Sequence, residues 1–166
     1  FFARVGGGSP KEMGQIFIEA QQFKGTSLIE ILQNCVIFND GCFNHLTDKD
    51  VKEDKQIYLE HGKPMIFGKN RDKGLLLKGL KLEVVTIGEN GVTQEDLLVH
   101  NAKEKDPTLH FMLVRMEYPL ATGVIRSFDD VTLEEREDAL TAQVKANSSF
   151  TKTDDLFFSG ETYEVK

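Results

Sequence analysis

The sequence is short of cysteine, of basic residues and of long apolar runs, and each shortage excludes a class of protein. Two cysteines cannot form the disulfide framework of a small secreted domain, so we expect a reducing compartment, the cytoplasm. No apolar run approaches the roughly 20 residues of a membrane helix, and we expect neither a signal peptide nor a membrane partner. The 27 acidic residues outnumber the 20 basic ones, which argues against a nucleic-acid partner.

The rest of the composition is that of an ordinary globular protein. Apolar residues make up 40% and charged residues 28% of the 166 residues, which is enough to form a core. The length predicts about one domain. The first methionine is Met13, and we therefore expect this chain to be a piece of a longer polypeptide that was cut on its N-terminal side.

The first 32 residues show the pattern of a strand, a helix and a second strand. The apolar segment "FFARV" predicts a buried strand, and "SPKE" at Ser9–Glu12 predicts a helix start with a capping box and a proline in the first turn. After an apolar stripe with helical spacing, "SLIEIL" at Ser27–Leu32 predicts another buried strand. Such a βαβ unit implies parallel pairing within a larger sheet that has helices on both faces.

The fold class that follows is α/β. We expect the last βαβ unit of a parallel-sheet domain, residues 1–34, followed by an irregular α+β extension, residues 35–166. The extension is predicted to contain a hairpin ("QIYLE" and "PMIFG" around "HGK"), a strand in "LKLEVVTIG", a short helix after Thr93, a helix after Asp106-Pro107, a strand in "TGVIRSF" and a helix that a capping box opens at Thr132.

Two loops lie at the carboxyl ends of the predicted parallel strands, where ligands usually bind in such sheets. The first is "GGGSP" at Gly6–Pro10, whose amides and following helix could hold an anion. An ordinary connecting loop is the commoner explanation, because no dinucleotide or P-loop motif surrounds it.

The second loop is "QNCVIFNDG" at Gln33–Gly41, and Cys35 is its candidate functional residue. A cysteine here can be a metal or cluster ligand, a nucleophile or a small buried apolar residue, and without a C-x-x-C partner the buried role is favoured. A nucleophile would need a base, for which His45 is available without a supporting motif, and Cys42 could approach Cys35. His61 is expected in a solvated turn.

Four segments carry a resemblance to a known family: "KGTSLIEILQNCVIFNDG", "YLEHGKPMIFGKNRDKGL", "GLKLEVVTIGENGVTQEDLLVH" and "DPTLHFMLVRM". In this order they resemble the β subunit of the 2-oxoacid:ferredoxin oxidoreductases, above all the bacterial 2-oxoglutarate type. The end, "FFSGETYEV", is similar to the C-terminus of such subunits. The resemblance covers nearly the whole chain and implies that residues 1–34 end the thiamine diphosphate-binding domain and that residues 35–166 form the C-terminal extension of the β subunit.

The resemblance implies an oxidative decarboxylation. In this family a 2-oxoacid, here 2-oxoglutarate by resemblance, reacts with coenzyme A to give acyl-CoA and carbon dioxide, with thiamine diphosphate and Mg²⁺ as cofactors. Electrons leave through a [4Fe-4S] cluster to ferredoxin, and the β subunit works with an α subunit in a heterotetramer. Cys35 matches the fourth cysteine ligand of that cluster, which follows a late strand in the family.

The chain also departs from the family pattern. The other three cluster cysteines, the Gly-Asp-Gly motif that holds magnesium and the asparagine after it do not occur in this sequence. The resemblance therefore implies Cys35 as the one metal ligand, no catalytic or thiamine diphosphate-binding residue in this chain, and no activity of the chain alone. The alternatives are a non-catalytic, stand-alone binding or scaffolding module derived from such a subunit, and an anion-binding domain that uses "GGGSP".

Overall fold

The computed structural model describes residues 1–165 and shows a mixed α/β protein. Its strands are β1 (Phe2–Gly6), β2 (Leu28–Leu32), β3 (Gln56–Leu59), β4 (Ile66–Phe67), β5 (Lys73–Lys78), β6 (Lys81–Thr86) and β7 (Leu120–Arg126). Its helices are α1 (Pro10–Gln22), α2 (Asn44–Thr47), α3 (Lys52–Lys55), α4 (Thr108–Arg115), α5 (Leu133–Asn147) and α6 (Thr153–Phe157). No helix within residues 1–165 is long and apolar enough to cross a bilayer.

The chain forms two compact units, residues 1–130 and the residues from Val131 onward. The first unit is built on a central sheet with the strand order β2-β1-β7-β3. Strand β1 is parallel to β2 and antiparallel to β7, and β7 is parallel to β3. The predicted βαβ unit and the α/β class are confirmed, whereas the assignment of residues 1–34 to a cofactor-binding domain stays a prediction.

The two faces of the central sheet bury different cores because side chains alternate along each strand. On one face Ala3 and Val5 of β1 are fully buried with Ile16 of α1. The larger core, to which α4 and the second sheet contribute, contains Ile57, Leu59, Met65, Phe67, Leu75, Leu113, Ala121 and Ile125. The central sheet of the first unit is therefore covered on both faces, as the sequence pattern predicted.

Strand β2 forms the edge of the central sheet, and the prediction that it is buried is wrong. Leu28 is 62% exposed and Ile31 is 40% exposed. The physical reason is the strand order: within residues 1–165, β2 has β1 on one side and no strand on the other. An open edge of this kind exposes backbone groups that could pair with a further strand.

The second sheet is an antiparallel meander, β4-β5-β6, and the predicted hairpin of "QIYLE" with "PMIFG" is wrong. The first of these segments pairs with β7 and the second with β5. The turn between them bonds elsewhere: the Gly62 amide donates to the His100 carbonyl and the Met65 amide to the Leu98 carbonyl, both at 2.8 Å. His61 lies exposed in this turn, as predicted.

The predicted helix starts differ in how far the structure confirms them. At Thr132 the capping box is present, with the side-chain oxygen accepting from the Glu135 amide at 3.2 Å. After Thr93 a capping box opens a single 3-10 turn, Gln94–Asp96, in place of a helix. The Ser9 side chain does not cap α1, and its hydroxyl oxygen accepts from the Lys52 ammonium at 2.5 Å.

Arg4 is a buried cation in the middle of the central sheet, with only 7% of its surface exposed. Its Nε donates to Glu30 Oε2 on β2 at 2.7 Å. The guanidinium also donates to the carbonyl oxygens of Ala121 on β7 and Val114 on α4, both at 3.4 Å. One side chain therefore links three strands of the sheet to the helix that covers it.

Two buried histidines hold the segment before α4 against β7. The His100 Nε2 lies 2.8 Å from the Val124 carbonyl oxygen, while its Nδ1 is buried and has no hydrogen-bond partner in residues 1–165. In His110 the Nδ1 accepts from Arg126 at 2.8 Å, so the Nε2 carries the proton and donates to the Asn101 carbonyl oxygen at 2.9 Å. His110 lies in α4, whereas His100 lies outside the helices.

Burial is the main cause that lowers the pKa of both imidazoles. Arg126 lowers the pKa of His110 further, because a proton on Nδ1 would face the guanidinium that donates to it. A charged His100 would likewise carry a buried N–H without an acceptor. Both histidines are thus built into the fold in their neutral forms.

We predict that the protein loses stability as the pH falls below about 6.5, where the unfolded histidines take up protons that the folded ones reject. Each histidine contributes a slope of at most about 1.4 kcal/mol per pH unit. Urea unfolding between pH 7.5 and 5 measures this slope. His110→Gln should reduce it, whereas His45→Gln, at an exposed histidine, should leave it unchanged; an equal slope in all three proteins contradicts the prediction.

We predict that Gly123→Ala destabilises the first unit by about 3 kcal/mol or more, since it combines backbone strain with overpacking. Gly123 lies within β7 at a φ of +87°, and a Cβ there would stand 2.5 Å from the Leu59 carbonyl oxygen. Gly14→Ala is the matched control: Gly14 lies in α1 with open space around it, so alanine should stabilise by about 0.5–1 kcal/mol. Chemical denaturation measures the free energy of unfolding of both variants. A Gly123→Ala protein as stable as the wild type disproves the close approach of Gly123 to the Leu59 backbone.

Candidate functional site

The candidate site is the loop Gln33–Gly41, which leaves the carboxyl end of β2 and which we call the Cys35 loop. Cys35 itself is exposed, so the favoured buried role is wrong. The three residues after it are apolar and nevertheless lie in solvent: Val36 is 73%, Ile37 82% and Phe38 90% exposed. The loop therefore presents a thiol and an apolar surface together.

The loop is held closed by the side chain of Asn34. Its Nδ2 donates to Asp40 Oδ1 at 2.7 Å, and its Oδ1 accepts from the Gly41 amide at 2.8 Å. Within the loop the Asn39 amide donates to the Cys35 carbonyl oxygen at 3.0 Å. Asn34 is a site residue that the sequence analysis did not identify, although an asparagine before a turn often bonds to the backbone that follows.

The backbone around Cys35 favours its thiolate form. The amide N–H of Phe38, and next that of Ile37, lower the pKa of the thiol, with a smaller contribution from Asn39 and a small opposing effect of burial. The thiolate is the form that attacks electrophiles and binds metals. Amide hydrogen bonds to sulfur also stabilise the thiolates of iron–sulfur clusters and tune their potential. The exposure of Cys35 and the lowered pKa of its thiol therefore suit a ligand or a reactive thiol better than a packing residue.

The described part of the chain offers the exposed Cys35 thiol as a ligand but does not form a complete metal site. Within residues 1–165 no group of three or more histidine, cysteine, aspartate or glutamate side chains could hold a metal ion. Cys42 is partly buried, forms no disulfide with Cys35 and is the second free thiol. No hydrogen bond joins Cys35 to His45 among these residues, which removes the support for a nucleophile with that base.

The "GGGSP" loop does not favour an anion. The Gly7 amide donates to the Leu32 carbonyl oxygen at 2.9 Å and the Ser9 amide to the Gly6 carbonyl oxygen at 3.0 Å, so two of its amides are already used. The Glu12 carboxylate stands in the first turn of α1 and pairs with Lys52 at 3.1 Å. A carboxylate at this helix end repels the ligand that the loop would bind.

Comparison with known proteins gives a clear relative. Over 133 residues, which are 80% of this chain, the sequence is 35% identical to 2-oxoglutarate oxidoreductase subunit KorB of Mycobacterium tuberculosis (strain ATCC 25618 / H37Rv). The chain spans about a third of the length of this curated relative, since the match covers 35% of it. No protein-family profile matches the chain, and no solved structure does so either.

We predict that Asn34→Ala opens the Cys35 loop and raises the pKa of the Cys35 thiol, because the amides that surround the sulfur lose their fixed positions. The rate of iodoacetamide alkylation between pH 6 and 10, measured in a Cys42→Ser background, gives this pKa. Gln33→Ala, one residue earlier, is the control and should leave it unchanged. A profile identical to that of the parent after Asn34→Ala means that the loop does not depend on this side chain.

Proposed function

Over most of its length the chain belongs to the family of 2-oxoacid:ferredoxin oxidoreductase β subunits, and on this premise we propose that it works inside such an enzyme. The proposed reaction is the oxidative decarboxylation of a 2-oxoacid to an acyl-CoA, with electrons passed to ferredoxin. The substrate we propose is 2-oxoglutarate. What supports this choice is the name of the relative, a 2-oxoglutarate oxidoreductase subunit.

The observation that carries the proposal is the Cys35 loop: an exposed thiol, with amides that favour its thiolate, at the carboxyl end of a strand of a mostly parallel sheet. We propose that Cys35 supplies one thiolate ligand of a [4Fe-4S] cluster, which would provide one-electron transfer toward ferredoxin. The other ligands would come from outside this chain, since residues 1–165 hold no group of three or more side chains suited to a metal ion.

The residues that would bind the remaining cofactors and partners are proposed to lie mostly outside this chain as well. Thiamine diphosphate and Mg²⁺ belong to the proposed complete enzyme, and no residue of this chain is assigned to them because its sequence lacks the Gly-Asp-Gly motif. The proposed partners are an α subunit, ferredoxin and coenzyme A, and the chain alone is proposed to be inactive. Its two unpaired thiols support the proposed cytoplasmic location.

A non-catalytic binding module derived from such a subunit is the alternative. The Cys35 loop distinguishes the enzyme hypothesis from this one. A module without an electron-transfer role needs no thiolate at position 35. In the proposed enzyme, by contrast, the thiolate is one of the cluster's covalent attachments, and its loss leaves the cluster with an incomplete ligand set.

We predict that Cys35→Ser in the complete enzyme, assembled without oxygen, removes most of the broad iron–sulfur absorbance at about 400 nm together with the bound iron and sulfide. Cys42→Ser is the matched control, because it replaces the other free thiol of the chain and should leave the spectrum intact. Iron and acid-labile sulfide per enzyme are the measurements. A full cluster in the Cys35→Ser enzyme rules out the assignment and favours the non-catalytic module.

A further inference from the structure

The second unit, which we call the C-terminal arm (residues 131–165), has no core of its own. None of its side chains is buried, although it is rich in large apolar residues. Those that are at least 45% exposed are Val131, Leu133, Leu140, Val144, Phe150, Leu156, Phe157, Phe158, Tyr163 and Val165. A soluble monomer rarely leaves this much apolar surface in one region, and such surfaces mark interaction sites.

The backbone of the arm is nevertheless ordered by local interactions. The capping box at Thr132 opens α5, and the Asp155 carboxylate accepts from the amides of Thr151 and Lys152 before α6, at 2.7 and 2.9 Å. Helices of this length are marginal in water without tertiary packing. The arm therefore has defined helices but lacks the buried apolar contacts that usually stabilise them. A docking element has this combination, because the missing contacts form when it binds.

One concave site on the arm has a distinctive chemistry. Asp154, Phe157, Phe158, Glu161, Thr162 and Tyr163 line a cavity of about 390 Å³. Three of them offer aromatic faces and two offer carboxylates. In residues 1–165 neither Asp154 nor Glu161 forms an ion pair. Aromatic faces attract cations through their quadrupoles, and carboxylates bind them directly, so this combination selects a guanidinium or an ammonium group.

The charge of the arm points to the same kind of partner. Residues 131–165 contain eight acidic and three basic side chains. A second copy of this chain, whose net charge is −7, would bring further negative charge to an acidic surface. Like charges across an interface cost free energy, whereas a basic surface would be attracted. The occupant that fits is another polypeptide with an exposed arginine or lysine.

We propose that the arm is a docking element whose aromatic and acidic cavity receives an arginine or lysine side chain from a basic surface of a partner subunit. That the partner is the α subunit rests on the proposed function. The cation stacks on the rings of Phe157, Phe158 and Tyr163, and the carboxylates of Asp154 and Glu161 neutralise it. Phe157 and Phe158, which are 75% and 72% exposed, become covered in the process.

The test measures the affinity of the purified full chain for the α subunit by titration calorimetry at low and high salt. Phe158→Ala should weaken binding by roughly tenfold, and Phe158→Leu, which keeps apolar volume without a π face, by a similar factor. Glu161→Lys should weaken it more and should reduce its salt dependence. Glu137→Lys makes the same charge change on α5 outside the cavity and should weaken binding much less than Glu161→Lys, through long-range attraction alone. Leu80→Ala truncates a 90% exposed side chain of the first unit and should bind as the wild type does.

Several results overturn the inference and leave the proposed function standing. One is wild-type affinity of Phe158→Ala and Glu161→Lys for the α subunit. Another is a loss with Phe158→Ala that Phe158→Leu restores and salt does not affect, which identifies a plain apolar contact. Self-association of the chain that Phe158→Ala abolishes assigns the cavity to a second copy. Failure of the proposed function appears separately, as a full cluster in the Cys35→Ser enzyme. Circular dichroism confirms that each variant keeps its helices.

Discussion

The buried guanidinium of Arg4 needs hydrogen-bond partners, and the rest of the first unit must supply them. An arginine cannot lose its proton, so a buried one has to be paired and fully bonded. Here the carboxylate comes from Glu30 on β2 and the carbonyl oxygens come from Ala121 on β7 and Val114 on α4. The edge strand, the central strand and the covering helix are thereby fixed to one point. Because β2 leads directly into the Cys35 loop, the position of the thiol depends on the same arrangement.

Local signals in the sequence predicted the parts of the fold that depend on local interactions. The βαβ unit follows from apolar periodicity, and α5 follows from the capping box at Thr132. The pairing of β3 with β7 could not be predicted, since it joins segments that lie more than sixty residues apart in the chain and leaves no trace in composition. The place of Cys35 at a strand end was predictable from the rule for parallel sheets. Its exposure was not, because the apolar residues that follow it have the pattern of a core.

The exposure of Val36, Ile37 and Phe38 suggests how the proposed cluster would be shielded from water. Apolar groups around a metal centre limit access of water and thereby affect its redox potential. Val36, Ile37 and Phe38 stand beside a thiol whose pKa the backbone lowers, so they would form part of the cover of a cluster attached there. Removing these side chains from water on assembly would also contribute favourable free energy. The same three residues would thus serve both assembly and electron transfer.

The position of β7 has a consequence for the order of folding. This strand lies between β1 and β3 in the sheet, although it follows them in the chain by more than sixty residues. During synthesis β1 and β3 therefore leave the ribosome long before the strand that joins them exists. Strand β3 cannot complete its pairing until Gly123 has emerged, and β1 cannot do so until Arg126 has emerged. Contacts of such high sequence separation slow folding and leave unpaired edges for a time. A nascent chain of this protein thus depends on β7, and a ribosome that stalls before β7 is made leaves β2 and β1 separated from β3.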